Sequence, residues 1–155
     1  MKEKLDLERI TDAVKSAESI TNAEIKVVIR EKSTTMFQRL RSLVSVERLV
    51  LLCAMKEFNR QKLHETKERN AVMLYFSIQE KRFEILADIN AYNHLGQKFL
   101  DEISASVSEE MKDAQGFNCE AIAKSVNSIA ISLSEKYPKS DSRRNELSDD
   151  VVFES

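Results

Sequence analysis
Apolar residues recur at three- and four-residue intervals from Leu7 through Ile10, Val14 and Ala17, which predicts an amphipathic helix over residues 5–20 that stops at Thr21-Asn22. The period then changes. From Glu24 to Arg30, Ile25, Val27 and Ile29 alternate with Glu24, Lys26, Val28 and Arg30, the pattern of a strand with one better-buried face. Residues 36–68 return to helical spacing, with Met36, Leu40 and Leu43 and then Leu51, Met55 and Phe58. Ser42 and Ser45 leave open whether this is one helix or two. The run 71–78 is almost wholly apolar, as a strand covered on both faces requires. Gln79-Glu80-Lys81 then closes a hairpin into a strand over 82–89. Leu95, Phe99, Ile103, Val107 and Met111 mark a helix ending near Gly116, and Phe117 to Tyr137 a last helix ending at Pro138. Residues 139–155 read as a polar tail that docks weakly or not at all.

This order of elements predicts an α/β protein: a three-layer α/β/α sandwich with a small mixed β-sheet covered by helices on both faces. The first crossover is expected to be right-handed and parallel. With no internal repeat and no linker before residue 138, the simplest organisation is one domain over 1–138 followed by the tail 139–155.

Composition narrows the function classes. The 155 residues are 42% hydrophobic and 32% charged, with two Gly, one Pro and a net charge of -2. A chain of this size builds a core without disulfides or metal staples. Cys53 and Cys119 have no spacing motif and read as packing residues in a reducing compartment. No apolar run approaches a bilayer span and none follows the N-terminus as a signal core, so a cytoplasmic location is expected, with no membrane partner. Residues 38–69 carry eight Lys or Arg against four acids, and residues 101–120 carry six acids against one Lys. The basic stretch lacks interleaved exposed aromatics, so both stretches read as solvated helix faces and no nucleic-acid partner is expected. Two glycines cannot make a phosphate-cradling G-x-G-x-x-G or Walker loop. His64 and His94 stand apart from each other and from any Cys pair, without support for zinc. Asp88-Ile89-Asn90 lacks the second acid of an aspartyl-phosphatase motif, and the Gly and Glu of a calcium loop are missing downstream.

Four blocks taken in order carry a family likeness. Thr21-Asn22-Ala23-Glu24-Ile25, the stretch Thr66 to Tyr75, the stretch Lys81-Arg82-Phe83 to Ala87-Asp88, and the ending Asn145-Glu146-Leu147-Ser148-Asp149-Asp150-Val151-Val152 together resemble the TPM domain family. The last block resembles the N-E-L-P-D-x-V ending of short, anchorless bacterial members. The resemblance implies a mixed sheet between helical layers and binding of a divalent cation, Ca²⁺ or Mg²⁺. Among relatives it also implies roles as different as acid phosphatase and receptor-channel modulator, so the fold does not fix the function.

If strands 24–30 and 71–78 are parallel and 82–89 returns antiparallel, Glu24, Arg69, Asn70, Asp88 and Asn90 gather at one end of the sheet. Glu24, Asp88 and Asn90 are then the candidate metal ligands, a hard-oxygen set whose shell water would complete. The alternative is that Glu24 and Asp88 are strand-end acids paired with Arg69 or capping nearby backbone. The general rule for open α/β sheets points to the opposite end, at Arg30 and Ser77.

The chain also departs from the family where it matters. Ala23, Ala71 and Ala87 stand at glycine positions, Asn90 stands where a glycine turns the chain, and Gln97-Lys98 follows where the family has an acid. Asn90 is expected to supply the positive φ of the missing glycine. The favoured expectation is a non-catalytic module that binds a divalent cation weakly and acts through a protein partner. The alternatives are a metal-assisted phosphatase, in which Arg69 or His94 steadies the ester, and a metal-free interaction domain.

Overall fold
The computed structural model describes residues 6–32, 44–113, 117–140 and 151–154. Helix α1 (Leu7–Glu18) begins at Asp6, whose carboxylate accepts the Arg9 N–H, and leads into β1 (Ile25–Arg30). Helix α2 (Val46–Arg60) starts at a Ser45 cap and is followed by a single 3₁₀ turn, Leu63–Glu65. Then come β2 (Val72–Ser77), β3 (Arg82–Ala87), α3 (Ile89–Leu95), α4 (Gln97–Asp113), α5 (Cys119–Ser134) and β4 (Val152–Glu154). The sheet order is β3-β2-β1-β4. Strand β1 runs parallel to β2 from Ile25↔Val72 to Arg30↔Ser77, and β3 returns antiparallel on β2.

Side-chain alternation sorts the core into two layers. Ile25, Val27, Ile29, Val72, Leu74 and Phe76 face α1 and α5, with Ile10, Val14, Ile122, Val126, Ile129 and Leu133 packed against them. Val28, Met73 and Tyr75 face the other way, onto Val50 and Ala54 of α2 and Leu63 of the 3₁₀ turn. Every residue of β2 is buried, and so are five of the six in β1, as two central strands of a sandwich must be. The three-layer α/β/α architecture expected from the pattern is therefore the observed one.

Two local expectations need correction. The third strand ends at Ala87, not Ile89, because Asp88 turns the chain and caps the short helix α3 through its own carboxylate on the Ile89 N–H. Asn90 consequently lies in a helix. Among the described residues the non-glycine left-handed positions are Lys62, Arg69 and Lys81. Lys81 closes the β2-β3 hairpin, its N–H donating to the Ile78 carbonyl. Helix α2 starts at Val46, so the two-helix option for 36–68 rests on residues 33–43, outside the described ones, as does the helix stop expected at Gly116.

The tail also contributes to the sheet. Val152–Glu154 lies parallel to β1 as its outer neighbour, with Val28↔Val152, Ile29↔Phe153 and Arg30↔Glu154 in register.

Candidate functional site
The amino ends of β1 and β2 and the carboxyl end of β3 meet at one end of the sheet, which brings the predicted residues together. The Val72 N–H donates to the Glu24 carbonyl at 2.8 Å, and the Asp88 N–H to the Ala71 carbonyl at 2.8 Å. The Asn90 N–H donates to the Arg69 carbonyl at 2.9 Å, and its side-chain amide donates to the Glu68 carbonyl at 2.7 Å. The side chains of Glu24, Asn70 and Asp88 are buried here. Thr21 and Asn22, the start of the first family block, do a different job. The Thr21 hydroxyl donates to the Tyr137 carbonyl at 2.6 Å, and the Asn22 N–H donates to the same oxygen, tying the end of the α5 segment to the start of β1.

Asp88 is the best-defined acid at this end. Arg69 Nε donates to Oδ2 at 2.6 Å and Arg69 Nη2 to Oδ1 at 2.8 Å, while the Ile89 N–H also reaches Oδ1 at 2.9 Å. Burial alone would raise the Asp88 pKa. The two Arg69 hydrogen bonds, the Ile89 N–H and the charges of Arg69 and His64 outweigh it, and hold the carboxyl below the usual carboxylate range. Arg69 takes this position from the left-handed region, at φ 51°.

A divalent cation fits Asp88 and Asn90 poorly as they are arranged. Both Asp88 oxygens already accept from N–H donors, Oδ1 from two and Oδ2 from one, and Asn90 directs its amide nitrogen at a carbonyl. The buried side-chain atoms without a hydrogen-bond partner in the neighbouring segment are His64 Nδ1, Thr66 Oγ1 and the Asn70 amide nitrogen, of which the last is a donor and not a ligand. Among the described residues no group of three or more His, Cys, Asp or Glu is placed to hold a metal ion. His94 is engaged elsewhere, its Nε2 donating to the Ser132 carbonyl of α5 at 2.7 Å. Gln97 bonds to Tyr92 and Asp101, and Lys98 lies beside Glu102.

Among the described residues, the opposite end of the sheet holds the densest charge cluster. Glu57 of α2, only 3% exposed, accepts from Arg30 Nη2 at 2.7 Å, from Arg60 Nη2 at 2.7 Å and Nε at 3.1 Å, and from Gln61 Nε2 at 2.8 Å. Glu154 of β4 closes the ring, with one oxygen 2.7 Å from Arg30 Nη1 and the other 2.7 Å from Arg60 Nη2. Burial pushes the Glu57 carboxyl up, but the hydrogen bonds from Arg60, Gln61 and Arg30 more than offset it and bring its pKa down to about 2. The sheet-end rule singled out Arg30 here, while Glu57, Arg60 and Glu154 were missed. The available signal was weak: Glu57 and Arg60 sit three apart on a helix whose other charges are solvated. Ser77, the other residue the rule named, donates its hydroxyl to Glu80.

The profile of the TPM domain matches residues 4–130, most of the chain. The chain belongs to the TPM domain family. As a TPM domain it is similar in structure to the BA42 protein of the psychrophilic bacterium Bizionia argentinensis, whose NMR structure superposes with a TM-score of 0.79. The two share 22% identity over 99% of this chain and 98% of that one, a likeness of fold. Among curated proteins no significant match is found. No helix among the described residues is long and apolar enough to cross a membrane.

Proposed function
We propose that this TPM domain works as a non-enzymatic module that engages a protein partner, and that Arg69 supplies at the amino end of the sheet the positive charge a cation would otherwise bring. The observation that carries this reading is the two-pronged Arg69–Asp88 pair, which uses both oxygens of the central candidate ligand. A divalent ion at Glu24, Asp88 and Asn90 would have to displace a guanidinium held by two charge-assisted hydrogen bonds, so any binding of Ca²⁺ or Mg²⁺ there is weak. The partner reading draws on Ile89 and Tyr92, one turn apart on α3 and 57% and 40% exposed, directly beside the pair.

The test is titration of chelator-stripped protein with Ca²⁺ and Mg²⁺, followed by calorimetry and amide shifts, on the wild type and on Asp88→Asn. We expect no saturable binding below millimolar metal. Saturable binding that Asp88→Asn removes would instead favour the cation site, and hydrolysis of a generic phosphate ester abolished by the same change would favour the phosphatase reading.

A further inference from the structure
The carboxyl end of the sheet supports a second surface, independent of how the amino end is read. We propose that the outer edge of β1, with Arg30 and Arg60, is a strand-acceptor site for an extended peptide segment of a partner protein. The segment has an apolar residue two positions before an acidic one, and the chain's own Val152–Glu154 is its resident, displaceable occupant.

Three observations carry this. The resident strand is short and partly exposed: it pairs over three residues, Val152 and Glu154 are only half-buried, and Phe153 is 39% exposed. The strand it covers is the opposite, buried along five of its six residues and paired on its other side with β2. Removing β4 therefore uncovers a fully built edge with unpaired backbone donors and acceptors, the surface that strand addition uses.

The charge on this edge is preset as well. Arg30 and Arg60 are both fixed by Glu57, so they keep their positions without Glu154, and Glu57 neutralises only one of the two guanidinium charges. What remains is a positively charged, two-armed receptor for one carboxylate. The register fixes where that carboxylate comes. Val28 lies opposite Val152, whose side chain packs against the layer of Val28, Val50 and Tyr75, and Arg30 lies opposite Glu154. An incoming strand thus needs an apolar side chain and, two residues later, an acid on the same face. The Glu154 carbonyl also accepts the Glu31 N–H at 3.2 Å, so the backbone pairing extends one residue past the strand.

The probe is a synthetic peptide of residues 148–155 added to the full chain, with binding read from the amide shifts of Val28 to Glu31. In the chain variant Glu154→Lys the resident strand is repelled by Arg30 and Arg60 while the receptor is left intact, so this variant should bind the peptide about tenfold more tightly than the wild type does. A peptide carrying Glu154→Gln should bind the same variant about tenfold more weakly than the unaltered peptide. Absence of peptide binding to the Glu154→Lys chain at millimolar peptide, with its fold intact by circular dichroism, would overturn the proposal. Equal binding of the two peptides would overturn the role of the arginines. A concentration-dependent wild-type dimer that Glu154→Lys abolishes would overturn the partner assignment and give the site to a second copy of this chain.

Discussion

Arg69 grips Asp88 with two hydrogen bonds of 2.6 and 2.8 Å while its own backbone sits at φ 51°, a conformation that disfavours any side chain bearing a Cβ. A glycine at residue 69 would relax the backbone and lose the grip. The chain keeps an arginine here against that local preference, so the pair is the feature on which the amino end of the sheet turns.

Removing the guanidinium should reverse the direction of the Asp88 titration. Burial is the largest single influence on this carboxyl and acts to raise its pKa; the Arg69 hydrogen bonds lead the effects that overcome it. In Arg69→Gly only the Ile89 N–H and the more distant His64 charge remain, and the pKa should move from below the usual Asp value to above it. The linkage changes sign accordingly. In the wild type the contribution of Asp88 to stability is present above its unfolded pKa and fades as pH falls; in the variant it is present at low pH and is lost as pH rises through the raised value. Carbon-detected NMR titration of the Asp88 carboxyl in both proteins measures this directly, and an unchanged pKa in the variant would show that Arg69 is not its principal partner.

Glu57 makes a stability prediction at the opposite end. Its pKa of about 2 lies below the ordinary 4.5, so its contribution is fully present above about pH 4.5 and disappears as pH falls toward 2. Because Arg30 and especially Arg60 remain partly in water, we expect the loss over that window to be about 2 kcal/mol, less than the bare shift implies. At pH 7, Glu57→Gln should cost roughly 2–3 kcal/mol, since it removes the buried one of the two anions the guanidinium groups share and leaves only the more exposed Glu154 between them. Urea unfolding of both proteins at pH 7, 4.5 and 2.5 should show the two curves converging as the pH drops. A gap that stays constant with pH would contradict the assignment.

The parts of the molecule that were legible in the sequence are those that bury a periodic apolar face. Ile25, Val27 and Ile29 alternate, and Ile122, Val126, Ile129 and Leu133 keep helical spacing, because each set packs into one continuous core. Helix α3 was not legible for the converse reason. In its seven residues only Ala91 and Leu95 are buried, while Ile89 and Tyr92 face outward, so the pattern carries no helical period and Asp88-Ile89 reads as strand. Strand β4 is three residues long after a charged stretch, and its place depends on Glu154 meeting two arginines that come from distant segments. The same holds for the candidate site. Strand direction gathered Glu24, Asp88 and Asn90 at one end correctly, but whether Asp88 faces a cation or an arginine is decided by the left-handed turn at Arg69, which no glycine announces.

Two isoleucines on the last helix separate the core from the surface. Ile129 is fully buried in the core cluster that α5 shares with α1, β1 and β2, whereas Ile131, two residues on, is 53% exposed. Ile129→Ala should cost about 3 kcal/mol, from lost transfer energy plus the cavity it leaves, while Ile131→Ala should stay within about 0.5 kcal/mol. Chemical denaturation of the two variants gives the comparison, and similar losses in both would mean that the face of α5 turned to the sheet has been assigned to the wrong side.

Gly96, between α3 and α4, offers a test in which crowding plays no part. A Cβ placed there would meet nothing within 4 Å, so substitution creates no clash. The backbone is nevertheless at φ 81°, ψ 156°, a region that is essentially glycine's alone. Its N–H also donates to the Tyr92 carbonyl and its own carbonyl accepts from Leu100, so the turn cannot relax without giving up a bond at the end of one helix or the start of the next. Gly96→Ala should therefore destabilise the fold by about 1–3 kcal/mol through backbone strain alone. D-alanine at the same position, introduced by chemical ligation, favours positive φ and has open space for its methyl group, so it should restore most of the loss. Failure of D-alanine to recover stability would place the cost in packing and not in the turn.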